Sequence, residues 1–126
     1  MGVNTRLRLN MPNINRLNDA QIKALEKTGE ALHARVVQAQ VVPFRTGNLQ
    51  NESFFVDYSQ SREGRVVLSH SAPYARRLYF HPEYNFSKAE NPNAQGKWFS
   101  PWIKGGNEDD YAIRRFKEFL RSEANL

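Results

Sequence analysis

Ile22, Leu25, Gly29, Leu32, Val36 and Ala39 recur at alternating spacings of three and four. That places them along one stripe of a helix from about Asn18 to Gln40. Asn18 or Asp19 caps its start, and Gln21 stands three residues after Asn18 in a capping-box arrangement. Gly29 lies on the stripe, where it costs helix stability but lets another element approach closely. Pro43 closes the helical region, because it lacks an amide hydrogen and restricts the residue before it. A different period follows. Phe54, Val56 and Tyr58 alternate with Phe55, Asp57 and Ser59, and Val66, Leu68 and His70 alternate with Val67 and Ser69. The polar, glycine-containing stretch Gln60 to Gly64 between them makes a β-hairpin with a loop longer than two residues. Phe55 and Val67 suggest that the second face of the hairpin is partly covered.

Pro73 to Phe80 reads as a short helix with Pro73 in its first turn, Ala75, Leu78 and Tyr79 inward, and Arg76 and Arg77 outward. Ile113, Phe116 and Leu120, widened by Ala112 and Phe119, predict a last helix from about Glu108 to Glu123. Asn107 is its candidate cap, and Glu108, Asp109 and Asp110 complement the positive end of its dipole. Helix, hairpin, short helix and helix make a single α+β domain over residues 1–126.

The joints carry as much information as the elements. Pro43, Thr46, Gly47 and Leu49 form a structural turn: a hydroxyl that can bond backbone, a glycine free to take positive φ, and an apolar anchor. His81 to Gly96 has no sustained period and contains Pro82 and Pro92, a length of irregular chain that is uncommon inside a compact domain. Tyr84 and Phe86 within it are the expected partner interface, since aromatic anchors are enriched where proteins meet. Trp98-Phe99 reads as a short strand or a core anchor.

The chemistry that is missing narrows the function. The chain has no cysteine, hence no disulfide framework, thiolate metal site or cysteine nucleophile. His33, His70 and His81 stand at spacings unlike those of metal-binding motifs, and there is no nucleophile elbow or phosphate-binding loop. No catalytic, cofactor-binding or metal-binding residue is therefore expected. No apolar run is long enough to cross a bilayer, and Met1 to Asn10 alternates polar and apolar without the hydrophobic core of a signal peptide, so no membrane partner is expected. The formal charge of +5 invites a small basic nucleic-acid-binding protein of mobile-element origin as an alternative. The basic residues are scattered rather than clustered, so direct DNA contact is the lesser expectation.

The Pro43…Thr46-Gly47-Asn48-Leu49 turn, the hairpin, Tyr74-Ala75-Arg76 and Trp98-Phe99 follow one another over residues 20–103. In that order and spacing the chain resembles the minor capsid and head–tail joining (tail-completion) proteins of long-tailed bacteriophages. The resemblance implies a small curved antiparallel sheet packed against the long N-terminal helix. It also implies a structural role in the virion, at the neck, after synthesis in the host cytoplasm. Such proteins act as ring-like homo-oligomers between a head-completion or connector protein and the tail proteins, with no enzymatic activity and no cofactor. Tyr74, Ala75, Arg76, Trp98 and Phe99 are the residues that match the family's pattern.

Overall fold

A computed structural model describes residues 7–10, 18–44 and 48–124. The first helix, α1 (Asp19–Gln38), begins at the expected capping box. The Asn18 side chain accepts from the Gln21 amide at 2.9 Å, and the Gln21 side chain accepts from the Asn18 amide at 3.0 Å. Two of the helix's orphan donors are thereby satisfied. The helix ends at Gln38, before Pro43 acts on it, and Gln40, with φ of 57°, turns the chain out of the helical path. Leu25, Gly29, Leu32 and Val36 of the stripe are buried, joined by Ala24 and Thr28.

The hairpin forms as its alternation requires. Strands β2 (Phe54–Asp57) and β3 (Arg65–His70) pair antiparallel, with Val56 opposite Leu68. Their loop is a 3₁₀ turn over Ser61–Glu63 closed by Gly64 at φ 85°, a backbone setting that glycine adopts without a Cβ penalty. Val67 on the second face is buried while Phe55 is exposed, so that face is covered only in part. The structure adds a third strand, β1 (Leu7–Asn10), antiparallel to β3, giving the order β1-β3-β2.

Helix α1 lies across the sheet, and Gly29 is where the two meet. A Cβ there would stand 2.6 Å from Val66 Cγ1 and 3.1 Å from Val56 Cγ1. The missing side chain sets the distance between helix and sheet. Helix α2 (Ala75–Tyr79) buries Ala75 and Tyr79, as expected, and leaves Arg76 and Arg77 exposed. Trp98-Phe99 is a fully buried anchor in a turn that leads into a 3₁₀ segment, Ser100–Trp102, and the strand expected as one option there does not form.

The C-terminal helix, α3 (Tyr111–Glu123), packs on α1 and completes an α+β fold: a small antiparallel sheet against a long N-terminal helix, with a C-terminal helix. It departs from its pattern in two ways. No α3 residue is buried, and Ile113 is 60% exposed, because the helix lies on the outer side of α1 and reaches the core only through partly buried Tyr111. It also starts at Tyr111 rather than Glu108, with no side-chain cap. The acidic residues ahead of it serve as ties instead: Glu108 grips Arg35 of α1 through two bonds of 2.8 Å, and Asp109 accepts from the Gly105 amide at 3.2 Å. Lys27 and Glu123 form a second ion pair between the helices.

Candidate interaction surface

The motif residues converge on one buried histidine. His70 ends β3 with its side chain on the face that carries Val66 and Leu68. Its Nδ1–H donates to the Leu49 carbonyl at 3.0 Å, and its Nε2 accepts from the Trp98 indole N–H at 3.0 Å. The two bonds fix the tautomer. Burial pushes the imidazole down to about 4, although the bond to the Leu49 carbonyl favours the charged form. His70 is therefore a neutral structural bridge between the turn after α1 and Trp98. Around it Phe54 stacks at 4.5 Å, Trp98 meets it edge-on at 5.3 Å, and Tyr79 meets Trp98 edge-on at 4.8 Å. Edge-on and offset contacts of this kind add to the stabilisation from area burial.

Of the expected structural turn, Pro43 and Leu49 are buried, whereas Thr46 and Gly47 lie outside the described residues. Of the family-like residues, Ala75, Trp98 and Phe99 are core; Tyr74 and Arg76 are on the surface. These sites thus divide between packing and exposure.

The irregular segment after α2 is tied down along its second half. The Asn91 side chain donates to the Val42 carbonyl at 2.8 Å and to Gln50 Oε1 at 2.6 Å, while the Asn93 side chain donates to the Ala39 carbonyl at 2.9 Å. The Gln95 amide donates to the Val41 carbonyl and the Lys97 amide to the Tyr79 carbonyl, at 2.9 and 2.8 Å. Gly96 sits so close to Pro82 that a Cβ would fall 2.7 Å from the Pro82 Cα. The ends of the arc are pinched together at that point.

What projects is the first half. His81 stacks on Tyr84, rings 4.7 Å apart and 8° from parallel, and Tyr84 meets Phe86 at 6.2 Å. His81 Nδ1 bonds the Glu83 carboxylate at 2.7 Å, which holds that carboxyl below its usual range. Tyr84 and the neighbouring Phe80 are 40% and 43% exposed, and Phe86 is half-buried. An arc stitched to the body and carrying stacked, accessible aromatics suits a docking surface, since little ordering remains to be done on binding.

Chemistry of other kinds is sparse. Among the described residues no group of three or more His, Asp or Glu side chains is placed to hold a metal ion, and no helix is long and apolar enough to cross a membrane. His33 stacks on Phe54 at 4.1 Å, and His81 is the surface histidine just described. Sequence reading missed the bridging role of His70, although a polar residue in phase with Val66 and Leu68 is its signal. No protein-family model, curated protein or solved structure matches the chain.

Proposed function

We propose that the chain is a structural virion protein of a tailed phage or prophage, a minor capsid or tail-completion component acting at the head–tail junction through protein–protein contacts. The observation that carries this reading is the ordered set of joints, from Pro43 and Leu49 through Tyr74-Ala75-Arg76 to Trp98-Phe99, by which the chain resembles that family. The geometry supports it in one respect: Leu49 and Trp98, from the first and last joints, both bond His70, so distant parts of the motif form one packed unit. The arc of exposed Phe80 and Tyr84 with half-buried Phe86 supplies aromatic anchors for a neighbour.

Genetic complementation of the parent phage tests this. Replacing Tyr84 and Phe86 with serine should leave heads and tails unjoined, while the purified double variant still melts cooperatively, losing about 1–2 kcal/mol because Phe86 is half-buried. Normal infectious titre from the folded variant contradicts the assignment of the interface.

A further inference from the structure

Strand β2 is one edge of the sheet, and among the described residues no strand pairs with its outer side. The Ser71 amide donates to the Ser53 carbonyl at 2.9 Å, in register with the pairs Phe55–Ser69 and Asp57–Val67. Hydrogen-bonded pairs alternate with non-bonded ones in an antiparallel ladder. The N–H and C=O groups of Phe54 and Val56 therefore point away from β3. The His33 Nε2–H donates to the Phe54 carbonyl at 3.3 Å, but no described residue outside the ladder bonds the Val56 backbone. Natural edges are usually blunted by lysine, proline or a bulge. Phe54-Phe55-Val56-Asp57 has no lysine or proline, and its one charge, Asp57, stands at the strand's end.

Beside this edge, Glu30 and His33 of α1 and Val56 and Tyr58 of the hairpin line an open groove of about 320 Å³. Glu30 accepts from the Tyr58 hydroxyl at 2.6 Å, and Glu26, one helical turn away, accepts from the Ser61 hydroxyl at 2.6 Å. Neither carboxylate is paired with a cation among the described residues, in a chain whose net charge is +5. Burial, then the bond to Glu30, holds the Tyr58 phenol above its usual range, so the hydroxyl remains a donor to that carboxylate.

We propose that the β2 edge takes up an extended segment of a partner polypeptide as an added strand, with a lysine or arginine of that segment seated against Glu30. The outward-facing Val56 backbone supplies ladder bonds, the groove receives an alternate side chain, and the Glu30 carboxylate selects its charge. This site lies on α1 and the hairpin, apart from the aromatic arc, and does not depend on what the arc binds.

The test uses the full chain, isotopically labelled, and a short synthetic peptide of alternating threonine and valine with one central lysine. Amide shifts should be saturable and centred on Val56, Tyr58, Glu30 and His33. The same peptide with a central glutamate should bind about tenfold more weakly, and N-methylation of the edge-facing amides of the lysine peptide should abolish binding. Glu30→Gln, an exposed change that spares the fold, should remove the preference for lysine. Equal affinity for the lysine and glutamate peptides, shifts elsewhere on the protein, or no saturable shift at about 1 mM peptide overturns the proposal. Concentration-dependent broadening of the same amides without peptide also overturns it, by assigning the edge to a second copy of the chain.

Discussion

His70 shows how one side chain can hold distant parts of this chain in register. It donates a hydrogen bond to the Leu49 carbonyl and accepts one from the Trp98 indole, so replacing it by an apolar residue strands two buried groups at once. His70→Leu should destabilise the fold by about 2–4 kcal/mol in chemical denaturation. The same histidine sets a pH dependence. Its folded pKa of about 4 lies below the ordinary value of 6.5, so its stabilising contribution is complete above pH 6.5 and is lost as pH falls towards 4. The total loss is on the order of 3 kcal/mol. Measured between pH 6.5 and 5.5, above most of the range in which the carboxylates titrate, wild-type stability should fall by about 1 kcal/mol and that of His70→Leu should stay nearly flat. Parallel slopes would show that His70 is not the titrating group. Residue identity alone did not reveal this role, because inward phase announces burial but not which partners are 21 and 28 residues away.

At the scale of elements, what was legible was local. The capping box, the three-and-four stripe and the two alternating strands each hold their signal within a few residues, and α1, β2 and β3 form accordingly. β1 was not read because a four-residue strand is defined by its partner, and Leu7 meets Leu68 far along the chain. For α3 the amphipathic pattern gave the helix but not its depth, since an apolar stripe does not say how much of it a single neighbour covers. No local pattern marks the asparagines of the irregular arc, yet Asn91 and Asn93 bind it to carbonyls of the segment after α1. Two substitutions probe how the elements meet. Gly29→Ala gains roughly 1 kcal/mol of helix propensity but drives a methyl against Val66, whose branched side chain has little freedom to retreat. The clash should win, with a net loss of about 1–2 kcal/mol in denaturant titration; a more stable variant would mean that helix and sheet can separate freely. Glu108→Gln removes the charge that Arg35 grips at the start of α3. Both side chains are partly exposed, so the expected cost is about 1 kcal/mol at low salt, shrinking as salt rises. A cost independent of salt would point to packing rather than charge as the link between α1 and α3.

For the whole molecule, the order of joints that suggests a phage neck component is the same order that brings Leu49, His70 and Trp98 together, so the sequence pattern has a physical basis in one core. The α+β class was legible because helical and strand periods occupy separate stretches. The surface chemistry was legible only in part: Tyr84 is exposed as expected, whereas Phe86 is half-buried and Phe80 adds exposed aromatic area beside them. The central claim is that the chain is built into the virion where head meets tail. Gold-labelled antibody against the purified chain, imaged on intact virions and on separated heads and tails, tests it most directly. The account predicts label at the neck of intact particles and at one end of a separated component. Virions that carry no label, with all of the chain recovered from the soluble lysate, would contradict it.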